Sequence, residues 1–279
     1  MKHILILFSA IALLAGCKTE VTITKDNGKT AILMVHFGTT HDDTRALTID
    51  AINAKVKEAF HEYDVFEAYT SSIVIGKLKD KGIEKQTPEA AFKKLHSDGY
   101  RKVIVQPTHI IPGKEFKDIV SEVEGIKDLF DDVRIGKPLL YSIEDTRAVI
   151  DILGQRHKTD SPMHHVLLVG HGTDDPANAL YCQSDYMFQA KEYSNFHVAT
   201  IEGFPSIENA FQVLKNGRAK AVTLVPFMLV AGDHAANDIS VEWKEAMENL
   251  GLKVDVKMEG LGQIPEIQDL FIQHLKDQL

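Results

Sequence analysis

Three side chains able to hold a divalent transition metal stand at the ends of three apolar runs in the second half of this 279-residue chain. His165-Val-Leu-Leu-Val-Gly-His171-Gly breaks off at an imidazole between two glycines. Phe196-His-Val-Ala-Thr-Ile-Glu202-Gly ends on a carboxylate, and the run from Val222 through Gly232 and Asp233 ends on His234. Two imidazoles and one carboxylate form a ligand set suited to a borderline transition ion. A neutral imidazole binds metal through one nitrogen while a carbonyl or carboxylate orients the other. The same ring takes or gives a proton near neutral pH, so a metal and a proton can be exchanged at one place. Plainer readings compete with this one: a turn histidine at 171, a solvated charge at 202, and a neighbour of a helix cap at 234. Asp174, Asp175 and Asp233 could orient the imidazoles, although helix capping is the preferred reading for Asp174 and Asp175.

The elements that must position these groups alternate short β-branched runs with longer amphipathic ones. Ala31-Ile-Leu-Met-Val35 reads as a buried strand, Thr44 to Phe60 as a helix, and Asp64 to Ala68 as extended chain. Pro88 to His96 reads as a helix, Lys102-Val-Ile-Val-Gln106 as a strand, Ile119 to Leu129 as a helix and Asp132-Val-Arg-Ile135 as a strand. A helix is expected from Asp238 to Leu250. This rhythm predicts an α/β fold with parallel sheets covered on both faces by helices.

The pattern also restarts. Aligning Gly38-Thr39 with Gly172-Thr173 sets Ile32-Leu-Met-Val35 against Val166-Leu-Leu-Val169 and Phe37 against His171. Further on, Pro107 meets Pro226, Gly113 meets Gly232 and Glu115 meets His234. Two matches in the same order point to an internal duplication, hence two similar Rossmann-like halves. The polar stretch His157-Lys-Thr-Asp-Ser-Pro162 marks the join, giving an N-terminal half over 30–160 and a C-terminal half over 161–279 that carries the metal-site residues. Ligands of open α/β sheets bind beyond the carboxyl ends of strands, which puts a cleft between the halves.

Ahead of the fold lies a leader. One lysine precedes the apolar run Ile4 to Ala15, which closes in Leu14-Ala-Gly-Cys17. The run is too short for an ordinary spanning helix, and small residues before a cysteine suit a lipoprotein signal peptidase. Residues 1–16 therefore read as a signal peptide, Cys17 as the lipidation site, and 17–29 as a tether or edge strand. The mature chain is then expected to be exported and held on a bacterial membrane, facing the periplasm. Of the two cysteines only Cys182 remains after acylation, so no disulfide within the chain is available and the core must hold the fold. Forty acidic against thirty-one basic residues, with no basic run, argue against nucleic acid as a partner. There is no Gly-x-Gly-x-x-Gly, no Walker loop and no Gly-x-Ser-x-Gly elbow, which removes the usual nucleotide and serine-hydrolase signatures. Tyr181, Tyr186, Met187, Phe188 and Trp243 read first as packing residues, with one or two of the four on the helix available as walls for a flat ligand.

Taken together, Val35-His-Phe-Gly-Thr-Thr, Asp42-Asp-Thr-Arg45, Gln106-Pro-Thr-His-Ile-Ile-Pro-Gly113, Val169-Gly-His-Gly172, Ile201-Glu-Gly-Phe-Pro-Ser206 and Ala231-Gly-Asp-His-Ala-Ala-Asn-Asp238 resemble the anaerobic cobalt chelatases, the short class II enzymes that load cobalt into sirohydrochlorin. The resemblance runs in order through nearly the whole mature chain. It implies two Rossmann-like halves with a tetrapyrrole cleft between them, and it maps the family's metal-site histidine, glutamate and second histidine onto His171, Glu202 and His234. It further implies insertion of Co²⁺ into the macrocycle, with His171 as proton acceptor and transient ligand, helped by Glu202. Fe²⁺ or haem are alternative cargoes, and a membrane-anchored tetrapyrrole-binding protein or a metal-removing enzyme are alternative functions. A second copy of the chain or an uptake receptor would be further partners. Arg45, Lys114 and Thr39 are candidate donors to the macrocycle's carboxylates. His36 stands where a small polar residue is more usual, which raises haem ligation by His36, His96 or His109 as a lesser alternative.

Overall fold

The computed structural model describes residues 28–232 and 235–279. Cys17, the rest of the leader and tether, Asp233 and His234 lie outside the described residues.

The chain forms two four-stranded, wholly parallel sheets. The first holds β1 (Lys29–His36), β2 (Asp64–Tyr69), β3 (Tyr100–Pro107) and β4 (Asp132–Ile135) in the order β2-β1-β3-β4. The second holds β5 (His164–Gly170), β6 (Phe196–Thr200), β7 (Ala221–Pro226) and β8 (Lys253–Val256) in the order β6-β5-β7-β8. Parallel strands need crossovers, and helices supply them: α1 (Asp42–Arg45) and α2 (Ala51–Ala59) flank a π-helical turn, followed by α3 (Ser72–Asp80), α4 (Pro88–Ser97), α5 (Lys114–Ile126) and α6 (Ile143–Arg156). In the second half come α7 (Ala179–Gln189), α8 (Ile207–Asn216), a second π-helical stretch leading into α9 (Lys244–Asn249), and the closing α10 (Pro265–Lys276). Among the described residues no helix is long and apolar enough to cross a membrane.

The two halves repeat each other down to single hydrogen bonds. Thr70 N donates to His36 O at 2.8 Å, and at the same place in the second sheet Ile201 N donates to Gly170 O at 3.0 Å. Ser71 N to Phe37 O is matched by Glu202 N to His171 O, and Thr108 N to Val35 O by Phe227 N to Val169 O. Gly38 and Gly172 both take positive φ, at 102° and 83°. The sequence alignment of Phe37 with His171 is thus a structural equivalence.

Alternation along each central strand feeds two cores. Ile32 and Met34 of β1 and Val166 and Leu168 of β5 enter one cluster that runs through both halves. Ala31, Leu33 and Val35 face a second cluster within the first half, and Leu167 and Val169 a third within the second. α10 places Ile267, Phe271 and Leu275 in the shared cluster and packs on α2, α6 and β3, so the last helix of the chain covers the first sheet. Each fully buried Leu, Ile or Phe contributes roughly 1.5–3 kcal/mol, and Cys182, the one cysteine among the described residues, is free.

Candidate functional site

The carboxyl ends of the two sheets meet. Lys117, on the first turn of α5, pairs with Asp175 just past β5 at 2.6 Å. On another side Val230, beyond β7, packs into a small cluster with Ile49, Tyr69 and Leu78 of the first half.

His171 leaves the end of β5 between Gly170 and Gly172. Its Nδ1 lies 3.1 Å from the Gly172 carbonyl, a contact in which the ring nitrogen is the donor. Glu202 follows β6, and its backbone N–H donates to His171 O at 2.7 Å. This bond ties the two tips together. A Cβ on Gly172 would lie 1.6 Å from the Glu202 carbonyl oxygen, so the second glycine is required for the backbones to approach this closely. Glu202 is exposed and His171 half-buried, within reach of an incoming cation. Among the described residues no three His, Cys, Asp or Glu side chains form a metal-holding group; the third residue singled out in the sequence, His234, falls outside them.

Asp175 caps a 3₁₀ turn, accepting from Ala177 N at 2.9 Å, and hydrogen bonding by Lys117 holds its carboxyl below the usual range. The three candidate carboxylate donors are all engaged locally. Arg45 is bracketed by Asp42 at 2.8 Å and Asp50 at 3.3 Å, Lys114 pairs with Asp118, and Thr39 is buried with its hydroxyl accepting from His41 N. Tyr181, Phe188 and Trp243 are core residues, and Met187 packs on the shared core, whereas Tyr186 is exposed. The Cys182 thiol is pushed up by burial and by Asp185, and its Sγ lies 3.6 Å from the Phe204 carbonyl.

His36 is fully buried, and both its nitrogens are used, which rules out the haem-ligand reading raised for it. Nε2 meets Asn53 Oδ1 at 3.1 Å and therefore carries the proton; Nδ1 accepts from Thr108 Oγ1 at 2.9 Å. Asn53 passes the chain to Glu67 at 2.9 Å, and Glu67 pairs with Lys85. Burial, partly offset by the Asn53 bond, pushes the His36 imidazole down to about 4. His96 packs edge-on against Phe130 at 5.7 Å. His109 has Nε2 3.4 Å from Thr70 Oγ1 and a buried Nδ1 without a hydrogen-bond partner, and burial also pushes it down to about 4. The His36–Asn53–Glu67–Lys85 chain escaped sequence reasoning, because its members are joined only by the fold.

Residues 30–279 match the model of the cobalt chelatase (CbiK) family. The chain is 34% identical over 256 residues to the sirohydrochlorin cobaltochelatase of Salmonella typhimurium, covering 90% of this chain and 97% of that one. It is 28% identical over 254 residues to sirohydrochlorin cobaltochelatase CbiKC of Nitratidesulfovibrio vulgaris, covering 88% and 89%. Among solved structures, SirB from Bacillus subtilis superposes with a TM-score of 0.64 at 16% identity, over 89% of this chain and 95% of that one. CbiX, described as the terminal enzyme of siroheme biosynthesis in denitrifying bacteria, gives 0.56 at 16% identity over 89% and 99%.

Proposed function

Because this chain belongs to the cobalt chelatase family, we propose that it inserts Co²⁺ into sirohydrochlorin in the space between the two sets of strand tips. The supporting observation is the juxtaposition of His171 and Glu202 on adjoining tips, locked by the 2.7 Å backbone bond and by Gly172. Insertion exchanges one divalent ion for the two protons on the ring nitrogens. The His171 imidazole receives a ring proton and serves as transient ligand to the arriving ion. Glu202 supplies negative charge and oxygen ligation, and His234 is the third group of the set. The metal is a substrate, so its ligands must hold it loosely enough to release it to four pyrrole nitrogens. The carboxylate attracts the cation while the imidazole takes one of the two displaced protons and water the other, which couples both halves of the exchange on one face of the ring.

We further propose that Cys17 is acylated and that the chain works at a membrane surface outside the cytoplasm, on the strength of the Leu14-Ala-Gly-Cys17 leader. That leader favours a second reading, a tetrapyrrole-binding protein in uptake, and one assay separates the two. Soluble protein beginning after Cys17 is mixed with metal-free sirohydrochlorin and Co²⁺, and the absorbance change of metallation is followed. Turnover beyond one equivalent that is lost in His171→Ala supports the chelatase; stoichiometric binding without metallation overturns it in favour of the binding protein.

A further inference from the structure

One amide fastens the two loops that carry His171 and Glu202. Asn178 Oδ1 accepts from Thr173 N at 3.1 Å, two residues past His171. Its Nδ2 donates to Phe204 O at 2.6 Å, two residues past Glu202. The amide therefore spans the loops just beyond the bond from Glu202 N to His171 O, and the two ties bracket Gly203. At Gly203, which has φ 129°, a Cβ would lie 2.7 Å from Asn178 Oδ1 and 3.2 Å from both Thr173 N and Thr173 O, so the loops are in direct contact beside the amide. Asn178 is itself held in place. It ends the 3₁₀ turn Pro176–Asn178, its own N–H donates to Asp175 O at 2.9 Å, and the Asp175 carboxylate that caps this turn is bound by Lys117 of the first half. α7 starts at the next residue and is fastened along β6, where Asp185 accepts from Val198 N at 2.8 Å and Gln189 donates to Phe196 O at 2.5 Å.

Resting on the chelatase reading above, we infer that Asn178 is a positioning residue for the metal site, setting the direction of His171 relative to Glu202 and acting only through their loops. The two loops make opposite demands, an N–H at Thr173 and a C=O at Phe204. A side-chain amide meets both, because it carries an acceptor and donors on one rigid plane; an ionised carboxylate of the same shape can only accept. The backbone bond between the tips fixes their separation but leaves the two segments free to twist about it. A second tie two residues further out removes that freedom, as a supporting shell must if ligand geometry is to be kept. Misplacement by about 1 Å is enough to cost on the order of a hundredfold in rate.

The test compares Asn178→Ala with Asn195→Ala in steady-state metallation of sirohydrochlorin by Co²⁺, using the soluble protein. Asn195 is a matched control at the far end of β6, where its Nδ2 donates to Thr159 Oγ1 and to His164 O, both at 2.8 Å. Each variant loses two hydrogen bonds, so both should unfold at a lower temperature than the parent. Only Asn178→Ala should lose kcat/KM for Co²⁺, by roughly tenfold or more, with KM for sirohydrochlorin unchanged. Asn178→Asp is nearly the same shape; it keeps the acceptor for Thr173 N, gives up the donor to Phe204 O, and should fall between parent and alanine. Equal kcat/KM for Co²⁺ in the two alanine variants, or in Asn178→Asp and the parent, would overturn the inference. If turnover is still lost in His171→Ala, the chelatase reading then stands without it. A parent protein that shows no turnover would remove both.

Discussion

Gly172→Ala separates backbone strain from site geometry, because the molecule contains its own control. Gly172 and Gly251 have the same φ, 83°, yet a Cβ at Gly251 would meet nothing within 4 Å. An alanine at either position bears the left-handed penalty of about 1–2 kcal/mol. Only at 172 does it also collide, 1.6 Å from Glu202 O, 2.5 Å from Glu202 C and 2.8 Å from Thr200 Cβ. The nearest atoms are backbone, so no side chain can swing aside. To restore ordinary contact the Glu202 carbonyl must retreat by more than about 1.5 Å, which breaks the 2.7 Å bond from Glu202 N to His171 O and moves both site residues apart. Misplacement of that size costs on the order of a hundredfold in rate. The assay is metallation rate together with thermal unfolding for both variants. Gly251→Ala should lose a few degrees in Tm and keep its rate; Gly172→Ala should lose more in Tm and nearly all its rate. Equal rates in the two variants would refute the claim that the approach of the Glu202 backbone to Gly172 builds the site.

Acid should destabilise the fold well before its carboxylates titrate. His36, His109, His157 and His197 are each pushed down to about 4, with burial as the largest cause. They are neutral when folded but gain a proton below about 6.5 once unfolded, so stability is complete above that pH and declines as pH falls toward 4. Each costs roughly 2 kcal/mol by pH 5, and a urea midpoint that is the same at pH 5 and pH 7 would contradict this. His197 Nε2 and His165 Nδ1 share a 2.8 Å bond, and Gln189 donates to His197 Nδ1 at 3.1 Å; Gln189→Leu should vacate that acceptor and raise the His197 pKa, read from its ring-proton NMR titration, whereas an unchanged curve would discredit the tautomer assignment. Lys117→Met should cost under about 1 kcal/mol, since Lys117 is 57% exposed in its pair with Asp175; a larger loss in unfolding free energy would mean the contact clamps the cleft.

What could be read from the chain follows how local each signal is. Asp132–Ile135 was legible to the residue, because Val133 and Ile135 alternate with polar neighbours in a short strand. α5 begins at Lys114, five residues ahead of the expected start, with Gly113 as its N-cap. The expected helix from Thr44 to Phe60 exists from Asp42 to Ala59 with a π-helical turn at Ala46–Asp50, a register slip that no periodicity announces. The helix expected from Asp238 is π-helical up to Trp243 and α-helical only from Lys244. Docking of α10 on the first sheet was not legible either, because an amphipathic face does not say which half it covers. At the site, strand-end reasoning put His171 and Glu202 at tips that a backbone hydrogen bond joins, while His36 was raised only as a lesser haem-ligand alternative. A buried histidine and a ligand histidine look alike in sequence when the partners, here Asn53 and Thr108, come from positions 17 and 72 residues away.

The divergence of the two tips follows from where each half keeps its bulk. In the first half, bulk is on the strands: His36 ends β1, Tyr69 ends β2, and Gly38 is required because the Tyr69 ring sits against it. In the second half the equivalent residues are Gly170 and Thr200, both small, and the space over Gly170 is taken by Tyr181 from α7, whose ring lies 2.4 Å from where a Cβ would be. Both halves join their tips by the same backbone bond, but with bulk moved from strand to helix Gly172 faces the Glu202 carbonyl, whereas Gly38 faces the Tyr69 ring. With bulk left on the strands, the first tip closes over a buried histidine chain and presents phenyl. A duplicated backbone can therefore present imidazole and carboxylate at one tip and phenyl at the other without any change of topology, by moving a few large side chains between the strands and the helix that covers them.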